Sequence, residues 1–306
     1  MRALMLPFAR ITIIGIGLIG SSIARAVRAE MPTVRLTGHD ADPEVRAIAD
    51  RLRLFDDIAD TPGAAVIDAD LVILCVPVGA MGAVAAEIAA DLPAEAVVSD
   101  VGSCKEEVLR ALSDALPGAT IIPAHPVAGT EHSGPEAGFA TLFHKRWCIV
   151  TPPEGADSLA VERVSEFWRR LGAQVDTMAP DHHDRVLAIT SHLPHLIAYT
   201  IVGTASDMEE VTQSEVIKYS AGGFRDFTRI AASDPTMWRD VFLANREAVL
   251  DMLQRFSEDL SALQRAIRWG KGDELFDLFT RTRAVRRNII EQGQDDPAPD
   301  FGRAHD

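Results

Sequence analysis

The run Ala124-His125-Pro126-Val127-Ala128-Gly129-Thr130-Glu131-His132-Ser133-Gly134 sets a histidine beside a cluster of hydroxyl and acid groups. Imidazole titrates near neutral pH, so His125 is suited to take a proton from a reacting hydroxyl, with Glu131 placed to orient it. A loop histidine that is only solvated or hydrogen-bonded is the competing reading. A second polar segment is Ser99-Asp100-Val101-Gly102-Ser103-Cys104-Lys105-Glu106. Ser103 with Glu106 has the S-x-x-E spacing of a capping box at a helix start, and Ser103 can equally serve a ligand. Both segments follow predicted strands, and open α/β sheets bind ligands at the carboxyl ends of their strands.

A third feature supplies what such a base could work beside. Gly15-Ile16-Gly17-Leu18-Ile19-Gly20 fits G-x-G-x-x-G directly after a β-branched run, Ile11 to Ile14, and opens a helix. The first glycine permits the tight turn, the second lets backbone approach a pyrophosphate, and the third lets helix and strand pack closely. The opening amides, at Leu18 and Ile19, are then free for phosphate oxygens. Asp40 follows Gly20 at the end of the second strand, where a carboxylate accepts hydrogen bonds from ribose hydroxyls. It would repel a 2′-phosphate, Asp42 adds a second negative charge, and the next arginine, Arg46, falls in the following helix. NAD is therefore expected over NADP. A plain strand-end cap is the alternative for Asp40.

The elements that position these groups can be read from apolar patterning. Val34 to Asp40, Leu71 to Val76, Ala96 to Val101, Thr120 to Pro123, Trp147 to Thr151 and Val175 to Met178 read as strands between helical stretches. This alternation predicts a Rossmann-type doubly wound parallel sheet over 8–179. From Asp181 the strand signal fades, and an all-α half over 180–295 is expected, followed by a flexible tail over 296–306. Within it, His192 and His195 are three apart with Pro194 between them, which predicts a kink beside two imidazoles. Two histidines without a third ligand are weak grounds for a metal, and none is expected. A continuous helix from Trp238 to Arg268, about 45 Å long, outreaches the small helical half and suggests packing on a second subunit.

Composition narrows the function classes. The 306 residues carry 30 Lys plus Arg against 45 Asp plus Glu, a net charge of −15, which argues against nucleic acid or an anionic membrane as partner. An anionic ligand would then need a local cluster of cations. Three scattered cysteines, with no CxxC pair, suit a reducing cytoplasm rather than a disulfide framework. No segment reads as a signal peptide or as long and apolar enough to span a bilayer.

In order along the chain stand the glycine turn with Asp40, SDVGSCK, AHPVAGTEHSG, SHLPH (Ser191 to His195) and GGFRDFTRIAASDPTMW (Gly222 to Trp238). Together, over about residues 10 to 290, they closely resemble the prephenate/arogenate dehydrogenase family of tyrosine biosynthesis. The resemblance implies a nucleotide-binding domain followed by a helical dimerisation domain. It implies oxidative decarboxylation of prephenate to 4-hydroxyphenylpyruvate with NAD, or of arogenate to tyrosine, or both. His125 matches the family's catalytic histidine and Ser103 a serine near the nicotinamide. Arg229 matches the arginine that binds a substrate carboxylate, with Arg225 one turn before it and Lys105 completing the local positive cluster. His195, Thr130 and Glu131 match substrate-end positions, and Trp238 a residue that reaches the partner subunit's site. Val76, closing its strand, joins Gly15, Gly17, Leu18, Ile19, Gly20, Asp40 and Ser103 as cofactor contacts. His192 is open between active-site support and interdomain packing, and Trp238 between the partner's site and a core aromatic. A non-catalytic dinucleotide sensor is the rival from another class, and it would not need His125, Ser103 and Arg229 together.

Overall fold

The computed structural model describes residues 6–130, 132–209 and 222–289. Glu131 and the expected tail over 296–306 lie outside the described residues.

Six parallel strands form the first sheet: β1 (Arg10–Ile14), β2 (Arg35–His39), β3 (Asp57–Ile58), β4 (Leu71–Leu74), β5 (Val97–Asp100) and β6 (Thr120–Ile121). Their order, β3-β2-β1-β4-β5-β6, reverses direction between β1 and β4, which opens a crevice at the strand ends there. β1 and β4 read as near-continuous apolar runs because both faces are covered: Ile11, Ile13, Leu71, Val72, Ile73 and Leu74 are all buried. Helix α1 (Leu18–Glu30) lies over one face through Ile23, Ala24 and Val27. Helices α2 (Pro43–Arg51), α3 (Pro62–Val66), α4 (Met81–Ile88) and α5 (Glu106–Ala115) complete the alternation.

The later strands depart from the expected single sheet. β7 (Ala124–Pro126), β8 (Trp147–Val150) and β9 (Gln174–Thr177) form a separate three-stranded sheet. β7 runs antiparallel to β8, with His125 opposite Ile149, and β8 is parallel to β9, with α6 (Ser158–Arg170) between them. His125 thus stands on a paired strand rather than in a loop.

Beyond Thr177 the described structure is helical: α7 (Pro180–Leu187), α8 (Leu193–Glu209), α9 (Gly222–Thr228), α10 (Pro235–Ala244), α11 (Arg246–Arg268) and α12 (Gly272–Ile289). Between α7 and α8, residues Ala188–His192 form a π-helical turn in which the Leu193 amide donates to the Ala188 carbonyl. Pro194 explains it: proline has no amide to give to residue 190, and its ring would clash with that carbonyl in a tight α turn. The expected kink is therefore a widened turn. The helical rod 180–208 is, by length and composition, apolar enough to cross a bilayer, which corrects the expectation that no segment is. It packs against α9, the 3-10 turn Arg229–Ala232 and α11.

The long helix is also not continuous. It breaks at Asn245 (φ −104°, ψ 35°), so α11 alone spans 23 residues, about 35 Å. Asparagine is a poor helix interior residue, and this one turns its amide inward to bond other elements.

Candidate active site

The glycine turn leaves β1 at the point where the sheet reverses. Gly15 has φ +96°, and a Cβ there would lie 2.6 Å from the Cys75 carbonyl oxygen and 3.1 Å from the Val76 side chain. Only glycine fits such a position. A Cβ on Gly20 would collide with the Gly15 carbonyl, whereas one on Gly17 meets nothing within 4 Å. The space over Gly17 is thus open, at the start of α1, whose N-cap Gly17 offers no side-chain hydrogen bond to the helix amides. Two glycines are demanded by packing and the middle one by nothing in the chain itself. That pattern fits a dinucleotide pyrophosphate seated on the turn.

Asp40 supports the turn directly. Its Oδ2 accepts from the Ile16 amide at 2.7 Å and its Oδ1 from the Asp42 amide at 3.0 Å. Asp42 caps α2 through the Glu44 amide at 2.8 Å. Arg46 lies in α2 as expected but reaches back, donating to the Asp40 carbonyl at 2.6 Å. A guanidinium therefore sits beside the acid.

His125 is 8% exposed and its ring is engaged from behind. His125 Nδ1 lies 2.9 Å from Nε2 of His183, and His183 Nδ1 lies 2.8 Å from Oδ1 of Asp184. Asp184 Oδ1 also accepts from the Lys105 amide at 2.8 Å, and Oδ2 from the Glu106 amide at 3.0 Å. These bonds cap α5 from another part of the chain. The expected capping box of Ser103 and Glu106 does not form: Lys105 occupies the N-cap position, with no side-chain cap of its own. An anionic carboxylate at a helix N-terminus satisfies two free amides and the helix dipole together.

Lys105 is the clearest correction. It is fully buried, with Nζ 2.5 Å from Asp100 Oδ2 and 2.8 Å from the carbonyl oxygen of Ala124, the residue before His125. Its charge is spent on Asp100, so it is no member of a ligand-facing cluster. Instead it ties β5 and α5 to the strand that carries His125. Burial pushes the Asp100 carboxyl upward, and the Lys105 ammonium pulls it back. Burial holds the His125 imidazole well below its ordinary value, reinforced by His183, Lys105 and His192. His183 is lowered too, by burial first, against the raising hydrogen bond from Asp184. Both rings are therefore neutral at pH 7.

The helical half closes the site from the other side. His192 is fully buried, lowered to about 4 by burial, with Nδ1 3.1 Å from Asn245 Nδ2. The same amide donates to the Asp184 carbonyl at 2.8 Å. The His192 ring also lies beside the Ser103 main chain, so His192 packs between the two halves. Trp238 is 6% exposed and stacks on His195 with ring centroids 3.7 Å apart. It packs with Cys104 and Val241 of its own chain, as the core-aromatic alternative has it. His195 is lowered by burial and by the nearby positive charge of Arg229, although its Ser191 hydrogen bond opposes this.

The remaining residues are placed as follows. Ser103 is half-buried just before the Lys105 anchor, and Arg229 opens the exposed 3-10 turn beside His195. Thr130 is half-buried, its hydroxyl accepting from the His132 amide at 3.2 Å. Arg225 is turned to solvent and paired with its neighbour Asp226 at 3.3 Å, so it does not converge with Arg229. Of the expected trio of cations, Lys105 is buried behind His125 and Arg225 is turned to solvent, while Arg229 stands beside His195. His183 and Asp184 carried no expectation. The signal present was Pro180-Asp181-His182-His183-Asp184, two histidines and two acids opening a helix at the domain junction, but spacing alone does not choose between them.

Residues 23–177 match the prephenate dehydrogenase nucleotide-binding domain and residues 179–281 the prephenate dehydrogenase dimerization domain. The chain is 45% identical to a cyclohexadienyl dehydrogenase of Zymomonas mobilis, covering 92% of this chain and 96% of that protein. It is 33% identical to a prephenate dehydrogenase of Bacillus subtilis, over 91% of this chain and 76% of the relative. The crystal structure of the Aquifex aeolicus prephenate dehydrogenase with hydroxyphenyl propionate and NAD+ superposes with a TM-score of 0.87 at 32% identity, over 94% of this chain and 100% of that one. A Rossmann turn, a buried neutral histidine facing a second, helical half, and these matches over both halves converge: the chain belongs to the prephenate dehydrogenase family.

Proposed function

We propose that this chain catalyses the NAD-dependent oxidative decarboxylation of prephenate to 4-hydroxyphenylpyruvate. The observation that carries the proposal is His125, buried, neutral and backed by hydrogen bonds, on a strand at the meeting of the two halves. NAD supplies the hydride acceptor when bound. Gly15, Gly17 and Gly20, with the amides of Leu18 and Ile19, hold its pyrophosphate. Asp40 takes the ribose hydroxyls, and Val76 and Ser103 border the nicotinamide end.

His125 accepts the proton of the substrate's ring hydroxyl through Nε2 as the hydride departs from the same carbon. The oxygen becomes a carbonyl, and the ring carboxylate then leaves as carbon dioxide. The bond it gives up supplies the electrons that aromatise the ring and move the carbonyl pair onto its oxygen, which takes up a proton to become the product's phenol. Arg229 pairs with a substrate carboxylate, where its planar fork is suited to two parallel hydrogen bonds. His195, stacked on Trp238, forms a rigid wall, and Thr130 completes the substrate end.

With Lys105 withdrawn, the pocket is less positive than the sequence suggested, and an ammonium-bearing substrate is less disfavoured. The 45% identical relative is a cyclohexadienyl dehydrogenase. Both observations support arogenate as a second substrate. A homodimer through the helical half is supported by the dimerization-domain match and by Leu250, Leu260, Ile267, Trp269, Phe276 and Phe279, each more than half exposed in the single chain. The free thiols Cys75, Cys104 and Cys148 support a cytoplasmic location.

The test is NADH formation with prephenate and, separately, arogenate, using NAD and then NADP. Turnover of prephenate with NAD, lost in His125→Asn, is the expected result. No turnover of either substrate by a protein that still binds NAD would overturn the proposal.

A further inference from the structure

We infer that His183 and Asp184 are positioning residues for the base: they dictate which ring nitrogen of His125 carries the proton, so that its Nε2 is kept as an acceptor. The inference rests on the reading of His125 as the base and extends it to two residues of the helical half.

A carboxylate has only acceptors to offer. That of Asp184 is oriented by the Lys105 and Glu106 amides, at 2.8 and 3.0 Å, so the helix start fixes it independently of any imidazole. Its Oδ1 lies 2.8 Å from His183 Nδ1, which must therefore carry a hydrogen. A neutral His183 then presents a lone pair at Nε2, 2.9 Å from His125 Nδ1, and the hydrogen between them must come from His125. A neutral imidazole with its hydrogen on Nδ1 has a bare Nε2. The opposite arrangement would aim an N–H at the substrate hydroxyl, and the ring could not take its proton.

A charged His183 would reverse the chain, because Nε2 would then donate to His125. The surroundings oppose that charge: His183 is fully buried, and the Lys105 ammonium bears on both rings. The polarity of the line Asp184–His183–His125 is thus fixed at its far end by a helix N-terminus. Asp184 also accepts Asn245 Nδ2 on its carbonyl at 2.8 Å, which anchors the line in the helical half.

Three measurements test the inference. Long-range proton–nitrogen NMR on the wild-type protein, with His125 assigned by its loss in His125→Asn, is expected to show the Nδ1–H tautomer. In His183→Leu, which leaves no acceptor behind His125, kcat with prephenate and NAD falls by about 100-fold or more while KM for prephenate stays within about twofold. In His183→Gln, whose amide can donate to Asp184 and accept from His125, kcat returns to within about tenfold of wild type. An Nε2–H tautomer in the wild-type protein would overturn the inference, and so would full activity in His183→Leu. If His183→Leu does not fold, the wild-type tautomer and the Gln variant decide. A wild-type protein that shows the Nδ1–H tautomer yet turns over neither substrate would refute the functional reading and leave the tautomer assignment standing.

Discussion

Replacing Lys105 with methionine removes a cation that is fully buried and leaves Asp100 without it. The pair is 2.5 Å apart and entirely screened from water, so this is no surface salt bridge of negligible worth. Breaking a buried pair from one side costs about 3–5 kcal/mol, because the remaining charge is stranded. The carboxylate has one escape, which is to bind a proton. From an ordinary carboxyl value near 4, that costs about 4 kcal/mol at pH 7 and only about 1.5 kcal/mol at pH 5, at about 1.4 kcal/mol per pH unit. A carboxyl whose folded-state value is raised takes up a proton on folding, so its stabilising contribution is present at low pH and lost as pH rises. The penalty of Lys105→Met is therefore expected near 4 kcal/mol at pH 7, shrinking toward 1–2 kcal/mol at pH 5, read by urea denaturation at each pH. Asp100→Asn added to Lys105→Met removes the stranded charge but keeps an acceptor for the Gly102 amide, now 2.7 Å from Asp100 Oδ2. The double variant should recover most of the loss at pH 7. A penalty below about 1 kcal/mol at pH 7, or one that does not change with pH, would refute the buried ion pair.

The other expectations are briefer. Gly20→Ala meets the Gly15 carbonyl and should cost about 2 kcal/mol or more in thermal or urea unfolding, whereas Gly17→Ala meets nothing in the chain. The latter is expected to fold as wild type and to weaken NAD at least tenfold by fluorescence titration; wild-type NAD affinity in it would show that nothing sits over Gly17. Because the folded-state value of His125 is depressed, its neutral form persists below the ordinary imidazole range. The acid limb of kcat/KM with prephenate should lie below pH 6.5, and an inflection above 7 would contradict the geometry. Asp40→Asn removes the charge facing a 2′-phosphate while Arg46 stays beside it, so the NAD-to-NADP preference in kcat/KM should fall about tenfold or more. Phe276→Asp places a charge in the exposed apolar face of α12 and should shift the protein toward monomer in sedimentation, with the far-ultraviolet spectrum unchanged.

What the sequence showed and what it hid follow from how local each signal is. The glycine turn, Asp40 and the strand runs around them are local: six residues state a backbone geometry, and four buried apolar residues in a row state a covered strand. His125 could be picked out for the same reason, since its neighbours in sequence are distinctive. Its supports were hidden because they arrive from 58 residues away, in a helix whose opening gives no preference between His182 and His183. Lys105 was misread because lysine is almost never fully buried, and its partner, five residues earlier, lies across a turn that brings the pair together. The short third strand and the antiparallel β7 escaped notice because two or three residues carry no periodicity. Trp238 is a different case. The family resemblance implied a reach to the partner's site, and its contact within its own chain was hidden because the break at Asn245 turns the long amphipathic run and brings the indole against His195.

The π-helical turn at Ala188–His192 bears on how this region tolerates change in length. A widened turn holds one residue more than an α-helix needs between the same two ends. Deleting one residue there would let the rod revert to regular α geometry with its two ends nearly in place, because the turn holds about one residue more than its span requires. His195 would keep the face that meets Trp238, and Asp184 and His183, upstream of the turn, would keep their places. The widened turn thus acts as a buffer for residue count. Losing the extra residue at the turn leaves the phase between its two histidine sets intact, whereas losing one from the regular α turns beyond it would rotate everything downstream by about 100°.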